Sequence, residues 1–103
     1  MKSNTEYHLL FCERLKTARL AKGLSQKKLG ILAGLDEFVA STRINRYEKG
    51  VHQASIDVAH QLAIALDVPL AYFFTQDENL ARLLLLWNSL DQDVKNKISK
   101  LIS

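Results

Sequence analysis

The sequence predicts an all-α fold, and three observations support this prediction. Apolar residues recur at helical spacing along almost the whole chain of 103 residues, and no run alternates with a period of two for long. The chain contains a single proline, Pro69, and it has no low-complexity segment or internal repeat. The composition, with 48% hydrophobic and 24% charged residues, is typical of a folded protein. At this length we expect one domain, with room for an appended helical tail.

The first two predicted helices are marked clearly at their ends. The first runs from about Glu6 to Lys22, and Gly23 stands where a C-terminal glycine is expected. Its inner face carries apolar residues at the spacing i, i+4, i+7, namely Phe11, Leu15 and Ala18. The second helix begins after Ser25, a good N-cap, and stops at Gly34. Its predicted inner face consists of Leu29, Leu32 and Ala33.

The next three predicted helices complete a compact unit. The third covers roughly residues 40–48, with Val39 as an alternative start, and Gly50 ends it. The fourth covers Ile56 to Leu66 behind the N-cap Ser55, and it turns five residues inward, namely Ile56, Ala59, Leu62, Ala63 and Leu66. Pro69 suits the first position of a short fifth helix, "PLAYFF", whose aromatic residues we expect in the core.

Two further helices follow as a tail, over about Glu78 to Ser89 and about Gln92 to Ile102, the second capped by Asp91. The apolar stripe of this tail is too wide for one solvated helix, so something must cover it. Either it packs on its own domain or it packs on a second copy of the chain. We favour a homodimer, with an interface that includes Leu80, Leu83, Leu84, Trp87, Ile98 and Leu101.

Positive charge is concentrated in the first half of the chain. The net charge is only +3, but residues 1–53 carry ten Lys and Arg against five Asp and Glu, a balance of +5. Residues 54–103 carry four against six, a balance of −2. This asymmetry predicts that the first half faces a polyanion and that the second half has another task.

The sequence argues against several other classes of protein. The one cysteine, Cys12, excludes an internal disulfide and a cysteine-cluster zinc site, and the three histidines are too scattered for a metal site. We therefore predict that Cys12 is a small buried apolar residue. No nucleophile stands beside a base and no glycine-rich phosphate loop is present, so we expect neither an enzyme nor a cofactor. We also expect no signal peptide and no membrane-spanning segment.

The second and third helices predict a helix-turn-helix, because they are short, joined through a glycine-containing turn and followed by a basic glycine stop. Small residues are needed where the two helices cross, and we assign this place to Ala33 and Gly34. Leu29 and Ile44 are expected to brace the pair from inside. The outer face of the third helix offers groups that suit base edges in a major groove, namely Ser41, Thr42, Arg43, Asn45 and Arg46.

These stretches resemble a known family. "RLAKGLSQKKLGILAGL" followed by "RINRYEKG" is similar to the phage repressor and Cro-like (XRE-type) helix-turn-helix family. The resemblance covers about residues 11–74 and includes "SIDVAHQLAIALDVPLAYFF". It implies a five-helix lambda-repressor-like DNA-binding domain at residues 6–76, and it leaves residues 77–103 as a C-terminal helical extension for dimerisation.

The resemblance also implies roles for individual residues. Arg19 and Glu48 match the arginine and glutamate that pair as a structural brace in the family. The positions that touch bases there match residues of the third helix, namely Ser41, Thr42 and Arg46, with Arg43 and Asn45 flanking them. We assign phosphate contacts to residues near the start of the second helix and after the third, namely Gln26, Lys27, Lys28, Lys49 and His52.

One segment departs from the family pattern. The spacing from Gly34 to Gly50 is about four residues longer than usual, and the extra residues lie in "DEFVAS". If "EFVAS" is helical, the recognition helix gains a turn at its start, and Phe38 and Val39 would need burial. Asp36 and Glu37 would then stand near DNA, where carboxylates repel phosphate but can accept from cytosine N4. The alternative is that this segment is a loop.

Two functions remain open from the sequence. The first is a sequence-specific regulator of transcription, a repressor by expectation, which binds double-stranded DNA as a homodimer on a pseudo-palindromic operator. The chain shows no room for a sizeable effector-binding domain, and we expect a cytoplasmic protein of bacterial or phage origin. The alternative is an antitoxin-like interaction module, in which the tail captures another protein and DNA binding serves only autoregulation.

Overall fold

The computed structural model describes the chain from Lys2 to Ser103, with side chains from Glu6 onward, and this part of the chain contains helices and no strand. The all-α prediction is therefore confirmed. The α-helices are α1 (Lys2–Ala21), α2 (Gln26–Leu32), α3 (Ala40–Lys49), α4 (Ile56–Leu66), α5 (Glu78–Leu86) and α6 (Gln92–Ile102). Two short 3₁₀ helices lie at Leu70–Phe74 and Trp87–Ser89. None of the described helices is both long and apolar enough to cross a membrane.

Short polar side chains start most of these helices. The hydroxyls of Ser25 and Ser55 accept hydrogen bonds from the backbone N–H groups of the first turns of α2 and α4. The carboxylate of Asp91 does the same for α6, so all three predicted N-caps are confirmed. Asp67 ends α4 in the left-handed conformation, with a φ of 58°. Aspartate visits this region more readily than most residues, so the helix ends there without a glycine.

The core lies where α1, α2, α3, α4 and the first 3₁₀ helix meet. The predicted inner residues of α1, Phe11, Leu15 and Ala18, are all buried. The 3₁₀ helix adds Tyr72 and Phe73, and the ring centroids of Phe11 and Phe73 lie 4.9 Å apart. The aromatic segment "PLAYFF" therefore closes the core, as predicted. It does so as a 3₁₀ helix that follows Pro69, whereas the sequence predicted a helix that begins with this proline.

Two residues assigned to inner faces lie outside. Leu32 is 51% exposed and Ile56 is 61% exposed, so both predictions were wrong. Leu32 is the last residue of a seven-residue helix that passes the core only with its middle turn, where Leu29 is fully buried. Ile56 is the first residue of α4 and lies outside the core. Helical spacing identifies the face of a helix but not how far the core extends along it.

The close approach of α2 and α3 depends on Gly30. A Cβ built on Gly30 would lie 2.6 Å from the Cβ of Ala40, and both residues are buried. Of the two residues assigned to the crossing, Ala33 packs against the core, but the assignment of Gly34 was wrong. Gly34 has no atom within 4 Å of its would-be Cβ, and it serves the turn instead, with a φ of 92°. The backbone of α3 can reach α2 because Gly30 lacks a side chain.

A buried arginine ties α1 to the C-terminal extension. Arg14 is 6% exposed, and its guanidinium donates to the backbone carbonyl of Thr75 at 2.6 and 3.1 Å. It also donates to both carboxylate oxygens of Glu78 at 3.1 and 3.2 Å. This contact was not predicted from the sequence. Because Glu78 is the first residue of α5, the extension is anchored on the domain at its beginning.

The two helices of the extension differ in how far they are covered. On α5, Ala81 is buried, and Leu84 and Leu85 pack against the core. No residue of α6 is buried. The radius of gyration, 14.5 Å, exceeds the about 13 Å typical of a compact domain of this length. The domain therefore covers part of α5, whereas α6 projects from the domain.

We predict that Gly30→Val destabilises the protein by about 2–3 kcal/mol, because the new side chain would overlap Ala40 and push α3 away from α2. Urea denaturation followed by circular dichroism measures the change in the free energy of unfolding. Ile31→Val is the matched control, since it places valine at the next position, where the side chain is 40% exposed. The control should change stability by less than about 0.5 kcal/mol. Equal effects at the two positions would contradict the close-approach role of Gly30.

Candidate nucleic-acid interface

Helix α3 has one face in the core and one face in solvent. Ala40, Ile44 and Tyr47 are buried. Three of the predicted base-contact residues, Ser41, Thr42 and Arg46, are exposed on the other side, as is Lys49 at the end of the helix. The buried residues recur at i, i+4 and i+7, so they form one stripe and leave the polar residues pointing outward. The side chains that were expected to read DNA are thus brought together on one accessible surface.

The longer segment before α3 is a loop. Helix α3 begins at Ala40, and the preceding residues form turns, so the alternative with an extra helical turn does not apply. The Asp36 carboxylate accepts a hydrogen bond from the backbone N–H of Phe38 at 2.8 Å. The Asp36 carbonyl accepts from the N–H of Val39 at 3.1 Å. These two bonds shape a tight turn directly in front of α3, and they leave Phe38 88% exposed.

The two arginines of α3 are free of acidic partners within the described residues. The guanidinium of Arg43 donates to the Tyr47 hydroxyl at 3.0 Å and lies 5.9 Å from the centre of its ring. Arg46 is exposed, and neither arginine takes part in an ion pair among the side chains that the structure describes. Arg43 is therefore held along the helix by Tyr47, and Arg46 extends into solvent.

Arg19 and Glu48 form a bidentate pair between α1 and the end of α3. Arg19 donates to Glu48 from Nε at 2.6 Å and from its second terminal nitrogen at 3.1 Å, while the other nitrogen donates to the carbonyl of Leu24 at 3.0 Å. The two side chains are only 10% and 4% exposed. Charged groups hidden from water are stable only when they are paired in this way. The contact joins α1, the following turn and α3.

Gln26 extends this network toward the predicted DNA face. Its amide nitrogen donates to Glu48 at 3.1 Å and to the side-chain oxygen of Asn45 at 3.2 Å. The predicted phosphate contact Gln26 and the predicted base contact Asn45 are therefore bonded to each other. The Asn45 amide nitrogen is left to donate elsewhere. This link could not be predicted from the sequence, because the two residues stand 19 positions apart.

The turn after α3 packs closely on α1. Gly50 has a φ of 75°, and a Cβ on it would meet the His8 ring nitrogen at 3.1 Å and the Cys12 sulfur at 3.4 Å. The same His8 nitrogen lies 3.1 Å from the Gly50 carbonyl oxygen, within hydrogen-bond distance. Cys12 is buried, as predicted, and this burial raises the pKa of its thiol, so the thiol stays protonated at neutral pH. The turn is thus fixed against α1.

Four of the five predicted phosphate contacts are exposed. Lys27 and Lys28 are exposed in the first turn of α2, and Lys49 and His52 are exposed at and after the end of α3. The geometry defines a class of protein, namely a helix-turn-helix with a polar, basic and accessible second helix.

Comparison with known proteins agrees with this class. A model of the helix-turn-helix family matches residues 15–73, which is more than half of the chain. The chain belongs to the XRE-type helix-turn-helix family. Among solved structures, the chain is similar to one described as the crystal structure of transcriptional regulator BswR. The two are 43% identical over 88% of this chain and 90% of that chain, with a TM-score of 0.78. A search of curated proteins finds no match.

We predict that Glu48→Leu costs about 3–5 kcal/mol, because it leaves the Arg19 guanidinium buried without its partner. The double variant Arg19→Met/Glu48→Leu should regain most of this loss, since it removes both buried charges. Urea denaturation of both single variants and the double variant gives the coupling energy. Glu78→Gln is the control, because Glu78 also pairs with a buried arginine but is itself 78% exposed; it should cost at most about 1 kcal/mol. Additive effects of the two single changes would argue against the brace.

Proposed function

We propose that this protein is a sequence-specific, double-stranded-DNA-binding regulator of transcription that acts as a repressor. The observation that carries this proposal is the outward face of α3, where Ser41, Thr42 and Arg46 are exposed on a helix held firmly by Arg19 and Glu48. Membership of the helix-turn-helix family supports it, as does the likeness to a protein described as a transcriptional regulator. In this proposal α3 enters a major groove as the recognition helix.

Base reading and phosphate binding fall to different side chains. The fork of Arg46 suits the O6 and N7 acceptors of guanine, and the hydroxyls of Ser41 and Thr42 suit either donors or acceptors. Arg43 and the free amide nitrogen of Asn45 would reach neighbouring base edges. The side chains assigned to phosphates are those of Lys27, Lys28, Lys49 and His52. Gln26 would contribute its backbone N–H at the start of α2, because its side-chain amide already donates to Asn45 and Glu48. These contacts would supply most of the affinity and its dependence on salt.

Repression is the mode of regulation that requires the fewest additional interactions with other proteins. A protein that occupies an operator overlapping a promoter excludes the polymerase without contacting it. The described chain consists of one DNA-binding domain and a short helical extension, which suits this mode. We place the protein in the cytoplasm of a bacterial cell, encoded by the bacterium or by a phage, because the DNA that it would regulate lies there.

The extension is proposed to join two copies on a pseudo-palindromic operator. The apolar residues of α6 are left largely uncovered, with Leu101 85% and Ile102 81% exposed. A second copy would cover this stripe by symmetry, and it would bring two α3 helices to the same DNA. Of the interface residues predicted from the sequence, Leu84 packs against its own core and is withdrawn. Leu80, Leu83, Trp87, Ile98 and Leu101 remain in the proposed interface.

We predict that Arg46→Ala weakens binding to the preferred operator by about 1–3 kcal/mol and relaxes base preference at one position per half-site. Lys28→Ala should instead weaken all sequences alike and reduce the slope of log affinity against log salt by about one. Selection from a random oligonucleotide pool, followed by salt titrations on the selected site, measures both effects. If Arg46→Ala selected the same sequences with the same stringency, Arg46 would have no role in base reading.

A second prediction concerns the oligomeric state. Leu101→Asp should dissociate the homodimer without unfolding the domain, because Leu101 is 85% exposed in the isolated chain and its charge would be buried only between copies. Sedimentation equilibrium measures the dissociation constant, which should rise at least about tenfold. Asn96→Asp is the matched control: it adds the same charge on the opposite side of α6 and preserves the acceptor for Gln92. Equal dissociation by both variants would exclude the α6 stripe as the interface.

The antitoxin-like alternative is kept because α6 is left uncovered by its own chain. In that case α6 would bind a different protein and the free chain would be monomeric. Sedimentation of the purified wild-type chain separates the two proposals. A stable homodimer that depends on Leu101 supports the regulator with its own dimer interface. A monomer whose α6 remains accessible would favour the interaction module.

A further inference from the structure

Phe38 is the most exposed of the large apolar side chains in the described part of the molecule, at 88%. A single exposed apolar residue has no meaning by itself, since folded proteins expose many of them. Its place is what matters here. Phe38 stands two residues before the first residue of α3, at the end of the helix that would enter the groove first.

The loop holds the backbone of Phe38 in a defined position, with the ring on the outside. The Asp36 side chain and carbonyl accept from the N–H groups of Phe38 and Val39 at 2.8 and 3.1 Å. On one side of this turn, the N–H of Leu35 donates to the carbonyl of Gly30 at 2.9 Å. On the other side, the buried Ala40 fixes the start of α3 against Gly30. The ring is thus presented on a turn that is anchored at both ends, which reduces the ordering cost of any contact it makes.

The neighbours of Phe38 exclude a phosphate as its target. The phenyl ring has no donor to offer, and Asp36 and Glu37 next to it are carboxylates, both exposed, which repel phosphate. A loop of this composition is disfavoured on the DNA backbone, so a contact between this ring and DNA would be made with the base edges. The apolar group that base pairs present in the major groove is the C5-methyl group of thymine. A carboxylate beside it, such as that of Glu37, finds donors there at cytosine N4 and adenine N6.

We propose that Phe38 is a specificity-determining residue that packs its ring against the C5-methyl group of one thymine in each half-site. This inference rests on the proposed function, because it requires α3 to enter a major groove. Arg46 lies more than one helical turn beyond the start of α3, so Phe38 and Arg46 contact different base pairs. The lengthened loop before α3 therefore adds a position to the sequence that the protein reads.

Removal of the methyl group from the DNA tests the contact directly. The wild-type protein first selects its site from a random pool, and each thymine of the selected half-site is then replaced in turn by deoxyuridine, which lacks only this methyl. At one thymine per half-site, we expect the wild-type affinity to fall about fourfold, the factor that burial of one such group contributes. Phe38→Ala should bind the thymine site at least about fourfold more weakly than wild type and should not distinguish thymine from deoxyuridine there.

Ile64→Ala is the matched control, because Ile64 is also an exposed apolar residue, at 60%, but lies on α4. This variant should keep the wild-type response to deoxyuridine at every position. Thermal denaturation and sedimentation of Phe38→Ala should match wild type, since the ring covers nothing in the free protein. A weaker homodimer in Phe38→Ala would overturn the inference and would make Phe38 a contact between proteins.

The outcomes for this inference and for the proposed function are separable. If the wild-type protein selects no sequence, the proposed function fails and the role of Phe38 fails with it. If it selects a site and no deoxyuridine substitution matters, the regulator proposal stands and the role of Phe38 is overturned. The role is overturned equally if Phe38→Ala retains the wild-type preference for thymine over deoxyuridine at the same position.

Discussion

The bidentate contact between Arg19 and Glu48 is the interaction on which the position of α3 depends. It joins the last turn of α1 to the last turn of α3, and the carbonyl of Leu24 brings the intervening turn into the same contact. A buried ion pair adds little net stability compared with apolar packing, but it is costly to break, so it selects one arrangement of helices over others. Glu48 accepts from Gln26 as well, and α2 is therefore held by the same carboxylate.

A second constraint acts at the other end of α3. There the contact is steric, because Ala40 packs directly on the backbone of Gly30. One end of the helix is thus fixed by polar groups and the other by close packing of small residues. Two fixed points define the direction of a short helix, and the buried Ile44 between them prevents rotation about its axis. The outward direction of Ser41, Thr42 and Arg46 follows from these three contacts together.

The sequence predicted what depends on local chemistry, and it failed where the answer depends on distant neighbours. Serine and aspartate caps follow from their own hydroxyl and carboxylate groups, so Ser25, Ser55 and Asp91 were identified correctly. Helical spacing gave the inner stripe of α1 but not the extent of the core, which leaves Leu32 exposed. The roles of Gly30 and Arg14 could not be predicted, because each depends on which residue of another segment lies opposite. Whether the segment before α3 is a helix or a loop could not be predicted for the same reason.

The ties between the domain and its extension bear on how a dimer would read DNA. Arg14 fixes the start of α5 to α1, and further along the extension the Asn88 amide donates to the backbone and side-chain oxygens of Asp67, both at 3.0 Å. Helix α6 begins four residues after this second tie. In the proposed dimer, the ties at Arg14 and Asn88 would restrict how far apart the two α3 helices can lie. A dimer restricted in this way would prefer half-sites of one spacing.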